Sequence, residues 1–123
     1  IEAMGGRPAL DVLKETVQAL PEEMRTRVRR NLLIGLATNE YRHRFLRGDF
    51  LVRNVAGIDQ ASGSLAVGSG VRPGQTVQFQ MRDAATADLD LTAMLEGARQ
   101  ALRGRTPAAG LLCTCNGRGI NLF

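Results

Sequence analysis

The chain is poor in several of the residues from which functional sites are built. It has no tryptophan, one tyrosine and one histidine, His43, and Lys14 is the single lysine among 16 basic residues. Two cysteines, Cys113 and Cys115, do not make a disulfide scaffold, which fits a reducing cytoplasm. With one histidine beside those thiols, a closed four-ligand zinc site is short of donors. Aromatics are 4% of the chain, too few for a stacking surface along single-stranded nucleic acid, and acids are interspersed with the arginines. No apolar run reaches the length of a membrane span. No signal peptide is visible, but the first residue is Ile1 and the chain stops just after an apolar strand and a turn, so the chain is read as part of a longer protein.

What is present suffices for a core. The apolar share is 44% and the formal net charge is +4, a modest basic excess that aids solubility and attracts anions without specifying a partner. Pro8 to Leu20 reads as a helix, with Leu10, Leu13, Val17 and Leu20 on one stripe. Pro21 ends it and opens a second helix. Glu22 and Glu23 stand at the N-terminus of that helix and Arg25, Arg27, Arg29 and Arg30 follow, an order that suits the helix dipole. The simplest reading of those arginines is a solvated helix end. Leu32 to Thr38 has no charge on either face and predicts a central strand. Tyr41, His43 and Phe45 alternate with Arg42, Arg44 and Arg47 in a polar connection, and His43 is read there as solvated.

Asp49 to Ile58 predicts a strand with Phe50, Val52, Ala56 and Ile58 on one face and Asn54 among them. A turn at 59–63 pairs it with Ser64 to Val67. Arg72-Pro73-Gly74-Gln75 has the central residues of a type II turn. Gln75 to Arg82 alternates cleanly as a strand. Asp83 can cap the next helix, whose apolar stripe is Ala87, Leu91, Met94, Leu95, Ala98 and Leu102. Leu111 to Cys115 then reads as a short strand buried on both faces. It runs into Asn116-Gly117-Arg118-Gly119, a turn whose amides can converge on an anion and whose Arg118 suits a carboxylate. The expected fold is α+β: an antiparallel or mixed sheet of about five strands with helices packed on it, forming a single domain.

Three blocks in this order, FLVRNVAGID at 50–59, GSLAVGSGVRPGQTVQFQMRDA at 63–84 and LLCTCNGRGINLF at 111–123, resemble the C-terminal domain of the FIST family. The resemblance implies an intracellular sensory or signal-transduction module that binds a small ligand, with amino acids the proposed class. It implies a FIST N-terminal domain before this one, sequence continuing after it, a possible signalling output partner, no cofactor and no established catalysis. The family's recurring positions fall on Arg53, Asn54, Arg82, Asp83, Cys115, Asn116, Gly117, Arg118 and Gly119. On chemical grounds Arg118 and the amides of 116–119 would hold a carboxylate, Asn54 would present an amide inside a pocket, and Asp83 would meet an amino group or simply cap its helix. The competing reading makes Cys113 and Cys115 a thiol or metal site, or Cys115 the nucleophile of a cysteine-dependent enzyme beside the glycine-rich turn.

Overall fold

A computed structural model describes residues 1–113 together with Gly117, Gly119 and Leu122, the side chain of Arg30 excepted. The chain divides into two compact units, Ile1–Met81 and Arg82–Phe123.

In the first unit, β1 (Ala3–Met4) and β2 (Arg7–Pro8) form a small antiparallel ribbon, followed by helices α1 (Ala9–Gln18) and α2 (Glu22–Asn31). Strands β3 (Leu32–Ala37), β4 (Phe50–Asp59), β5 (Ser64–Val67) and β6 (Val77–Met81) make one antiparallel sheet in the order β5-β4-β3-β6. Both helices start behind a proline: Pro8 and Pro21 occupy the N-cap positions with φ of −51° and −53°. Proline presets that torsion and lacks an amide hydrogen that would go unused there.

The stripe read from the sequence faces the sheet. Ala9, Leu10 and Leu13 of α1 are buried together with Leu65 of β5, and Val17, Leu32 and Phe79 pack against them. The uncharged strand β3 lies at the centre of the sheet, between β4 and β6. Its Ile34 and Leu36 are 0% and 1% exposed, and Leu65 is 1% exposed. Burying such a side chain stabilises the fold by about 1.5–3 kcal/mol. The turn at 72–75 follows its residue types: Gly74 has φ of +78° and the Gln75 amide donates to the Arg72 carbonyl at 3.1 Å.

A β-bulge alters the predicted face of β4. Val55 pairs with Val67, and the next pairs are Gly57 with Ala66 and Ile58 with Leu65, so Ala56 is an extra residue. The insertion moves Ile58 to the face of Val55, away from Phe50 and Val52.

The second unit is built on α3 (Ala84–Leu102). The Asp83 carboxylate accepts from the Thr86 amide and the Thr86 hydroxyl, both at 2.9 Å, which confirms the cap. Arg103, with φ of 49°, closes the helix in the left-handed region. The predicted stripe on α3 is not a core: no residue of this helix is buried, and Met94 and Leu95 are 60% and 56% exposed. Amphipathic spacing marks the side on which a helix can pack, not the presence of a neighbour.

The fifth strand predicted over 111–115 also differs. Its described residues, Leu111 to Cys113, lie outside any strand, and Leu111 and Leu112 are 92% and 80% exposed. An apolar run becomes a strand only where another strand meets its backbone groups, and composition carries no information about that neighbour. Thr114 and Cys115 are outside the described residues.

Candidate functional site

The second unit brings two of the candidate residues together. The Arg82 guanidinium donates from Nη1 to the Gly117 carbonyl at 2.9 Å. A β-carbon at Gly117 would stand 2.8 Å from Arg82 Cζ, so the glycine leaves the space that the guanidinium fills. Asp83, next in sequence, turns its carboxylate to Thr86 instead. Gly119 accepts from the Leu122 amide through its carbonyl at 2.8 Å. Cys115, Asn116 and Arg118 lie outside the described residues. Cys113 is an exposed free thiol, not the buried one that an apolar strand implied.

Arg53 and Asn54 belong to the first unit, on β4. Directly opposed residues of neighbouring strands share a face. Arg53 opposes Ile34, which in turn opposes Phe79, so its side chain lies on the helix-covered side of the sheet. It is half-buried, and Nη1 donates to the Val52 carbonyl at 2.9 Å. Asn54 opposes Leu33, which opposes Gln80, on the other face. At this edge of that face Asn54 is exposed and Val52 is 41% exposed, while Leu33 and Ala37 on the central strand are buried. The amide predicted to sit inside an apolar pocket is thus on a surface.

On that face β3 contributes Gly35. A β-carbon there would lie 2.6 Å from Gln80 Nε2 and 3.0 Å from Phe50 Cβ. The glycine lets the Gln80 amide lie flat over the strand, from where it donates to Gln78 Oε1 at 3.3 Å. Neither glutamine stands out in sequence beyond its polar place in an alternating strand. Gly35, a lone glycine inside an apolar strand, was the readable signal of close approach.

The apolar recess of the first unit lies on the opposite side, between the helices and the sheet edge. It has a volume of about 180 Å³ and is lined by residues including Leu13, Val17, Leu20, Met24, Val28 and Phe79. Arg25 holds the helix corner beside it. Its Nε donates to the Leu20 carbonyl and its Nη2 to the Gln18 carbonyl, both at 2.8 Å, while Nη1 meets Glu22 at 2.9 Å. The simple reading of a solvated arginine run therefore fails at Arg25, which satisfies carbonyls left open at the end of α1.

Surface carboxylates are tuned locally. The Ser62 hydroxyl and the Ala61 and Ser62 amides hold the Asp59 carboxyl below its ordinary range. Arg99, and then Gln100, do the same for Glu96, and Arg7 for Glu15. Among the described residues, no group of three or more His, Cys, Asp or Glu is placed to hold a metal ion, and no helix is long and apolar enough to cross a membrane.

Comparison with known proteins gives a consistent result. The model of the FIST C domain matches residues 9–122, a family of signal-transduction-associated domains. The uncharacterized protein Rv0628c of Mycobacterium tuberculosis is 44% identical over 123 residues, which are 100% of this chain and 32% of the relative. The uncharacterized protein Mb0898c of Mycobacterium bovis is 43% identical over the same length, again 32% of the relative. The chain thus spans about a third of the length of the curated relatives it matches. No solved structure matches it.

Proposed function

The chain belongs to the FIST C domain family, and from that premise we propose that it is the ligand-binding part of a cytoplasmic sensory protein whose ligand is small and carries a carboxylate, an amino acid being the class that fits best. It works beside a FIST N-terminal domain and passes its state to a signalling partner. The observation that carries this reading is the family match over residues 9–122. The bond from Arg82 to the Gly117 carbonyl supports it, because it holds one residue of the Asn-Gly-Arg-Gly sequence. In this reading Arg118 and the amides of 116–119 take the carboxylate. Arg82 spends one of its five N–H donors on Gly117 and in this reading acts as a positioning residue. Asp83 is occupied with Thr86 and keeps its cap role.

The test is a thermal-shift screen of the full-length protein against the common amino acids. A ligand that binds only the folded state raises its stability by about 2.7 kcal/mol at one hundred times its dissociation constant. One amino acid, or one chemical group of them, is expected to raise Tm in a concentration-dependent way. An unchanged Tm across the panel at millimolar concentration would remove amino acids as the ligand class.

A further inference from the structure

We propose that β6 is a self-association edge: two copies of this chain pair their β6 strands antiparallel about Phe79 and join their sheets across a two-fold axis. Strand order places β6 at one end of the four-stranded sheet and β5 at the other. The β5 edge is covered. The Leu65 amide donates to the Ile1 carbonyl at 2.9 Å, and the Ile1 amino group donates back to the Leu65 carbonyl at 2.6 Å. At β6, among the described residues, no backbone bond reaches Val77, Phe79 or Met81 from outside the sheet.

The register shows which groups that edge offers. The Ala37 amide donates to the carbonyl of Thr76, one step beyond the Leu36–Val77 pair. That bond sets the phase of the ladder, so Gly35–Gln78 and Leu33–Gln80 are its hydrogen-bonded pairs, because such pairs alternate along an antiparallel ladder. Gln78 and Gln80 spend their backbone groups on β3, whereas Thr76 gives its carbonyl to Ala37 and its amide to Glu40 Oε1 at 3.0 Å. Val77, Phe79 and Met81 direct theirs away from the sheet.

Edge strands of soluble proteins usually carry a charge, a proline or a bulge that discourages pairing. The sequence of β6, Val-Gln-Phe-Gln-Met, has neither charge nor proline, and its register with β3 runs without a shift. It is also self-complementary. Antiparallel pairing about Phe79 sets Phe79 against Phe79 and Val77 against Met81, all with outward-facing backbone groups. The same register sets Gln78 against Gln80 on the other face. Apolar groups meet apolar groups, amides meet amides, and no like charges are opposed. A slip of one residue would put every apolar side chain against an amide, which disfavours that register.

The test uses the full-length protein. Sedimentation equilibrium is expected to show a concentration-dependent dimer, with amides of Val77, Phe79 and Met81 exchanging slowly in the dimer and fast in the monomer. The Gln78→Lys/Gln80→Lys variant opposes lysine to lysine in both copies and is expected to weaken dimerisation at least tenfold. Mixing it with Gln78→Glu/Gln80→Glu is expected to restore a one-to-one dimer, which also shows that both variants are folded. A protein that stays monomeric overturns the proposal, whether those amides exchange quickly or are protected by another part of the same chain. A dimer indifferent to the lysine pair, or a mixture that fails to reassociate, overturns it as well.

Discussion

Replacing Leu65 and Leu111 separately by alanine tests where the core of this chain lies. Leu65 is 1% exposed and packs with Ala9, Leu10 and Leu13, whereas Leu111 is 92% exposed. Truncating a buried leucine removes its transfer free energy and leaves a cavity, at a cost of roughly 2–5 kcal/mol. Leu65 stands on a four-residue edge strand beneath α1, where neighbours can settle partly into the space. The expected loss is therefore in the lower half of that range, about 2–3 kcal/mol. Leu111→Ala deletes little but exposed surface and is expected to stay within about 0.5 kcal/mol of the parent chain. In urea, with a slope of about 1.5 kcal/mol per molar, the Leu65→Ala midpoint should fall by about 1.3–2 M while the Leu111→Ala midpoint hardly moves. Both denaturation curves should be recorded on the 123-residue chain by circular dichroism and by a tertiary probe, so that two-state behaviour is checked. The reasoning is refuted if Leu65→Ala costs under about 1 kcal/mol, or if Leu111→Ala costs as much as Leu65→Ala.

Three further outcomes follow from the geometry. Arg25→Met should destabilise the chain by about 1 kcal/mol, since the Gln18 and Leu20 carbonyls lose a charged donor but water reaches a side chain 39% exposed; lysine, with no planar fork, should recover only part of the loss in urea unfolding. Asp59 is held below its ordinary range by Ser62 and the adjacent amides, so its contribution is complete above the unfolded-state value of about 3.9. That contribution is lost as pH falls through the lower folded value, and Asp59→Asn should flatten the acid limb of stability against pH; an unchanged limb would contradict the assignment. Gly117→Ala places a methyl group against the Arg82 guanidinium. Because that group sits at the end of a flexible side chain, the stability cost should be under about 1.5 kcal/mol, with ligand affinity falling more than stability if Arg82 positions the loop.

Much of the first unit was legible because its signals are periodic. The stripe of Leu10, Leu13 and Val17 predicted α1, the uncharged run at 32–38 predicted a central strand, and the alternation at 77–81 predicted β6. The bulge at Ala56 was not legible, since it depends on which ladder bonds form and not on side-chain type. It leaves Asn54 on the face of Phe50 and Val52 and takes Ile58 off that face. Arg25 reads as a solvated cation in sequence because its partners, the carbonyls of Gln18 and Leu20, belong to the preceding helix and its end. The stripes of α3 and of Leu111–Leu112 predict burial that the structure does not show, because the pattern of a packing face and the presence of a packing neighbour are different facts. Among the candidate site residues, the Asp83 cap was predictable from local sequence. The Arg82–Gly117 bond spans 35 residues and had no local signal.

Calorimetric titration of the full-length protein with its best-stabilising amino acid, beside the Arg118→Ala variant, tests the sensory reading most directly. One ligand bound per chain, with affinity reduced at least tenfold by Arg118→Ala while the variant keeps its unliganded Tm, is the predicted result. No binding heat for any amino acid at several temperatures, or equal affinity in the variant, would contradict it.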